Sequence, residues 1–191
     1  MREEGLARQG GPGAVVLREA TRRAGVAPNA AYRHFANRDD LLAAVRAAAV
    51  AAVAAAMEAE LAHVPTTGTA AQQAHAKVRA VGAGYMRFAH AETGLFRTAF
   101  GSQFSVEQNH PDPAMGGASG LNPFQHLSAA LDDLVTAGAL PPERRPGAEY
   151  LAWSTVHGMA LLSIDGPLRG TPADMLQLLG QRLLDMVERG L

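Results

Sequence analysis

Residues 17–45 read LREATRRAGVAPNAAYRHFANRDDLLAAV, and three residues within the stretch divide it into helices. Gly25 ends a first helix over about Leu17–Ala24, because glycine takes the left-handed conformation that closes a helix at little steric cost. Pro28 suits the first position of a second, short helix, where its missing N–H has no helical partner to lose. Asn37 then caps a third helix, with Asp39 and Asp40 in its first turn facing the positive end of the macrodipole. Two short helices around a glycine-containing turn have the length and turn chemistry of a helix-turn-helix, a motif whose second helix enters the DNA major groove. On that helix Tyr32, Arg33 and His34 offer donors to phosphate oxygens. Ala24 and Phe35 supply the apolar contact between the two helices.

Beyond this stretch Leu41, Val45, Ala49, Ala52, Ala56 and Leu61 recur at helical spacing as far as Pro65. The spacing predicts a connector of about 25 residues over 39–63, roughly 37 Å long. Residues 66–71 are a polar break. Val78, Val81, Tyr85, Met86 and Ala89 mark another helix, and Leu95, Phe96, Ala99 and Phe100 a short one. Residues 109–121, rich in Pro and Gly, read as a loop. Asn122-Pro123 is a cap and first-turn pair opening a helix with Phe124, Leu127, Leu131, Leu134 and Val135 on one face. Two long apolar helices, 143–164 and 172–189, follow, the second opened by Thr171-Pro172-Ala173-Asp174. They carry more apolar surface than a small body hides alone, which predicts a four-helix bundle between two copies, with Leu179 and Leu183 in its seam. The expected architecture is all-α: a helix-turn-helix head over 1–46 and a helical-bundle body over 47–191 for ligand binding and dimerisation.

Composition agrees with that division. The 191 residues are 48% apolar and 18% charged, with few aromatics, enough for a core that alanine biases toward close-packed helices. Residues 1–46 hold eight arginines against five acids, and 47–191 hold nine basic residues against thirteen acids. A basic head on an acidic body suits a polyanion-binding module whose body does not stick to the polyanion. Cysteine is absent, which removes disulfides, thiol nucleophiles and cysteine-ligated metal together. No run approaches the roughly 18 consecutive apolar residues of a membrane span, and the first six residues lack a signal-peptide core. A cytoplasmic protein with no membrane partner is expected.

None of the seven histidines pairs with another ligand at a persuasive metal-binding spacing. No Ser-His-acid order or carboxylate pair stands out, and Gly10–Gly13 and Gly116-Gly117 lack the strand that a phosphate loop requires. No cofactor, metal site or enzymatic activity is expected. On the inner helical faces Tyr85, Met86, Phe96, Phe100, Phe124, Leu127, Trp153 and His157 are candidates for a pocket wall around a small hydrophobic molecule. Plain core packing explains the same positions.

The run around the recognition helix resembles the DNA-binding domain of the tetracycline-repressor (TetR) family. That family's recognition helix ends Tyr-(Arg/His)-His-Phe, ahead of an (Asn/Ser/Asp)-(Lys/Arg)-(Glu/Asp)-x-Leu-Leu connector start. Here these are Tyr32-Arg33-His34-Phe35 and Asn37-Arg38-Asp39-Asp40-Leu41-Leu42, preceded by Arg23-Ala24-Gly25-Val26. Trp153-Ser154-Thr155-Val156-His157-Gly158 is similar to the Trp-x-x-x-His-Gly motif of one subgroup's ligand domain. The resemblance implies a homodimeric repressor that binds a double-stranded DNA operator and leaves it when a small effector shifts the connector. It also implies phosphate contacts from Tyr32, His34 and Arg38, and a base-reaching face of Pro28, Asn29 and Arg33.

The chain departs from the family at Val16, Ala27 and Ala31, where members often carry Ser or Thr, and a lost cap costs roughly 0.5–2 kcal/mol. The three-helix head is also expected to have a shortened first helix. Only Arg2–Gln9, about two turns, precedes Gly10–Gly13, where the family has about four. An upstream start and a weakened head both explain this, and in either case residues 1–36 should exchange amide hydrogens faster than 143–189. Two other classes of function remain: a ligand-binding or interaction bundle with a vestigial head, and a cofactor-free enzyme in the body. The charge asymmetry favours the regulator over both.

Overall fold

The computed structural model describes residues 37–101 and 112–190, the Arg38 side chain excepted. The expectations for the shortened first helix and for Pro28, Asn29, Tyr32, Arg33 and His34 lie outside the described residues. Those described form six α-helices and two 3-10 turns, with no strand among them.

Helix α1 (Arg38–Leu61) begins where its cap predicts: Asn37 Oδ1 accepts from the Asp40 N–H at 2.9 Å, with Asp39 and Asp40 in the first turn. It stops at Leu61 rather than 63, because His63 and Val64 donate to carbonyls three residues back, at Glu60 and Leu61. Such bonds tighten a helix end into 3-10 form. Helix α2 (Ala70–Ala91) opens on a reciprocal capping box between Thr69 and Gln72, and α3 (Thr93–Ala99) follows it directly. A turn over Pro113–Met115 precedes α4 (Pro123–Thr136), which a second capping box, Asn122 with Gln125, holds at its start.

The expected helix over 143–164 is shorter. Residues 142–144 form a 3-10 turn, and α5 runs only from Ala148 to Ile164. Pro146 lacks an N–H to continue the first turn, and Gly147 takes φ 79°, a conformation that glycine adopts freely. Helix α6 (Ala173–Gly190) ends the described chain.

Helix α2 is the hub, packed against each of the other five helices. It lies against α1 at Gly84, where a Cβ would come within 2.7 Å of both the Ala56 carbonyl oxygen and the Met57 Cα. Any larger residue there must push two backbones apart. On α1, Ala49 and Ala54 are fully buried, so small side chains on both helices permit the close approach. By length and composition residues 39–61 are also apolar enough to cross a membrane, but 44% of the qualifying window is buried inside this fold. That burial against α2, α3 and α4 is the pattern of a core helix.

On the opposite side α5 leaves Leu151, Leu161 and Leu162 exposed, and α6 leaves Met175, Leu178 and Met186 exposed. Leu179 and Leu183, expected in an intermolecular seam, pack half-buried against the protomer's own core.

Candidate functional site

A cavity of about 310 Å³ opens between α1, α2, α4, α5 and α6. Its wall is mainly apolar: Val50 and Met57 from α1, Val78 and Val81 from α2, Val156 from α5, Leu184 and Val187 from α6. Aromatic rings line one side. Phe100 and Trp153 stand 6.1 Å apart between centroids, Phe124 and Trp153 6.3 Å, and Phe124 and Tyr150 5.5 Å. Concave, apolar and set with few polar groups, this is the form that small-molecule sites take.

Of the eight candidate pocket residues, Tyr85, Phe100, Phe124, Leu127 and Trp153 line the cavity. Met86, Phe96 and His157 do not. Met86 faces Gly180 on α6. Phe96 is fully buried behind the wall, edge-on to Tyr85 at 5.5 Å and tilted against Phe100 at 5.2 Å. His157 sits behind Tyr85. Residues not anticipated include Asn122, Gln125, Arg79 and Glu188, all polar. The Asn122 cap was the one signal that placed a polar residue of this wall at a definite point of the fold.

The Trp153, Tyr85 and His157 side chains form one hydrogen-bonded relay. The indole N–H can only donate, so Trp153 Nε1 donates to the Tyr85 hydroxyl at 3.2 Å. The Tyr85 hydroxyl is in turn hydrogen-bonded to His157 Nδ1 at 2.6 Å. Burial pushes the His157 pKa below its ordinary 6.5, which favours the neutral ring. Burial likewise pushes the Tyr85 phenol up, so it keeps its proton. The relay links the three side chains and holds the Tyr85 and Trp153 rings of the wall. Arg79, also at the cavity, is held by Asp185 at 2.6 Å and Glu188 at 3.4 Å.

A second polar cluster ties the connector to the start of α4. The Glu58 carboxylate accepts from the Ala118 and Ser119 N–H groups at 2.9 Å and from the Ser119 hydroxyl at 2.6 Å. His126 Nε2 lies 3.3 Å from the same carboxylate. A Cβ on Gly117 would come within 2.5 Å of Glu58 Oε1, so a larger residue there would have to displace the carboxylate from its donors. Burial raises the Glu58 pKa, but the hydrogen bonds from Ser119 and Ala118 outweigh it and hold the carboxyl below its ordinary 4.5.

A depressed folded-state pKa means stability that is present above the unfolded value and lost as pH falls through the folded one. Glu58→Gln should cost roughly 1–3 kcal/mol at neutral pH, since glutamine keeps one acceptor oxygen and sets an NH₂ group against the Ala118 N–H, and should flatten the stability-against-pH curve below 4.5. Urea titrations across the acid range up to neutral pH check both; an unchanged acid limb would show that the clasp contributes nothing.

Two family models match the sequence: one described as Bacterial regulatory proteins, tetR family, over residues 4–45, and one as Tetracyclin repressor-like, C-terminal domain, over residues 78–187. A solved structure of a protein with unknown function from Rhodococcus sp. RHA1 is 25% identical with TM-score 0.75, covering 100% of this chain and 91% of that one. The TetR family transcriptional regulator PfmR from Thermus thermophilus is similar in fold, at 19% identity and TM-score 0.62, covering 100% of this chain and 96% of that one. No curated protein matches the sequence significantly.

Proposed function

The chain belongs to the tetR family of bacterial regulatory proteins and is a DNA-binding transcription regulator, and from that premise we propose that it acts as a homodimeric cytoplasmic repressor released from its operator by a small hydrophobic effector. The observation that carries the effector reading is the cavity itself. It opens on α1 at Val50 and Met57, and α1 continues through residue 46 toward the proposed DNA-binding head, residues 1–46. A molecule that fits one setting of α1 better than another shifts the balance between them; one that binds both equally shifts nothing. The Glu58 clasp supports this coupling, because it joins the connector to the loop leading into the cavity wall at Asn122. The proposed body, residues 47–191, serves as sensor and dimeriser rather than as an enzyme. The exposed apolar faces of α5 and α6 support dimerisation, since such a patch on a protein surface marks an interaction site.

The proposed DNA contacts divide by role, with Tyr32, His34 and Arg38 on phosphates and Pro28, Asn29 and Arg33 facing bases. Arg38→Ala and Tyr32→Phe should weaken binding to every sequence and lower the salt slope, each phosphate contact contributing roughly 0.9 to it. Asn29→Ala should alter base preference and leave non-specific binding nearly unchanged. Fluorescence anisotropy on operator and random duplexes between low and moderate salt checks the division. An Arg38→Ala protein with altered sequence preference and an unaltered salt slope overturns it.

A further inference from the structure

The first turn of α4 presents hydrogen-bond donors to the cavity that nothing in the described fold uses. Asn122 is 8% exposed and lines the cavity. Its Oδ1 accepts from the Gln125 N–H at 2.9 Å, and Gln125 Oε1 accepts from the Asn122 N–H at 2.9 Å. These reciprocal bonds fix which atom of each amide is oxygen, so the remaining atoms are the NH₂ donors. Neither Asn122 Nδ2 nor Gln125 Nε2 has an acceptor among the described residues. The Asn122 carbonyl takes the His126 N–H, and Pro123 has none, so the positive end of the helix adds to the same corner. Both residues line the cavity, so an oxygen supplied by a bound molecule can take these donors in place of solvent.

The surroundings decide what kind of oxygen. Glu58 places a carboxylate 3.3 Å from His126 Nε2, one turn along the same helix, and Arg79 at the cavity is already paired with two acids. A second anion would meet the Glu188 carboxylate in the lining and find Arg79 already paired. An uncharged acceptor meets only the amide donors. Phe124, two residues from Asn122, stands edge-on to Trp153 with an interplanar angle of 82°, and Phe100 lies beyond. Rings so tilted offer both edge and face to a flat partner.

We propose that the molecule bound here is uncharged, with a flat aromatic or conjugated body among Phe100, Phe124 and Trp153 and a carbonyl- or ether-type oxygen that accepts from Asn122 and Gln125. The proposal rests on the reading of this cavity as the effector site.

Calorimetric titration of the full chain with three matched probes tests it: 4-acetylbiphenyl, 4-ethylbiphenyl and 4-biphenylcarboxylate. The acetyl probe should bind about tenfold more tightly than the ethyl probe, the scale of one good hydrogen bond, and the carboxylate weakest. Asn122→Asp and Gln125→Glu keep the cap acceptors of α4 and delete one donor each, so the helix survives, as far-UV circular dichroism will report. In these variants the acetyl-to-ethyl ratio should fall toward one while ethyl binding stays within about twofold. Equal binding of acetyl and ethyl probes, a ratio that persists in both variants, or tightest binding of the carboxylate each overturns the proposal and leaves the cavity reading standing. Failure of all three probes to bind overturns the cavity reading, and this proposal with it.

Discussion

Glutamate at Leu151 and Met186 together should turn the proposed homodimer into single chains of unchanged helical content. Both side chains are more than half exposed in the protomer, at 65% and 59%, so neither substitution disturbs the core of one subunit. In the proposed dimer the same positions lie in an apolar seam, where an unpaired carboxylate costs several kcal/mol. Two of them weaken association roughly a thousandfold or more. Light scattering at micromolar concentration should give twice the chain mass for the parent and once for the variant. DNA affinity should fall with it, because two half-sites are no longer engaged together. Leu179→Glu and Leu183→Glu make the contrast: their side chains pack on the protomer's own core, so those variants should lose helix as well as mass. A variant at Leu151 and Met186 that keeps the dimer mass would place the interface on another face.

Phe96→Ala should cost about 3–5 kcal/mol of folding stability, the range for deleting a fully buried phenyl ring. Phe96 is 0% exposed and supports three rings at once: Tyr85, Phe100 and His157. Removing it leaves a void directly behind the cavity wall, and the relay from Trp153 to His157 loses its backing. Urea unfolding at fixed protein concentration, which matters where folding is coupled to dimerisation, should show a lower midpoint with an unchanged slope. Phe124→Ala, at a position that is only half-buried, should cost much less. Equal losses for the two would mean that the buried ring is no better packed than the one at the wall.

These residues also show what sequence could convey. Asn37 with Asp39 and Asp40, and Asn122 with Pro123, announced the starts of α1 and α4, because a capping bond joins residues three apart and is written in adjacent letters. Tyr85 and Met86 were both recognisable as inward-facing, yet one meets the cavity and the other meets α6. Helical periodicity tells which side faces in and not which neighbour lies there. The Glu58 clasp left no trace in the sequence. Its acid lies 60 and 61 residues from Ala118 and Ser119, and two of its donors are backbone N–H groups that no residue type advertises. Leu179 and Leu183 were ranked ahead of Met175, Leu178 and Met186, which are more exposed: α6 has apolar residues on both its inner and outer faces, and composition alone does not rank them. Pro146 and Gly147 were legible as helix breakers, but the expected helix ran through them.

The contact at Gly84 has a mechanical consequence. Backbone lies against backbone there, so α1 has no room to move closer to α2 at Ala56 and Met57, and a tilt about that point moves its far end most. Arg38 lies 18 residues up the helix from Ala56, a lever arm of about 27 Å at 1.5 Å per residue. A tilt of about 5° about this fulcrum, displacing Met57 hardly at all, carries the N-terminal end of α1 through roughly 2.4 Å by that same arm. In the proposed coupling, a small adjustment around the cavity would be geared up into a displacement as large as a bond length and a half at the far end, with no helix needing to bend.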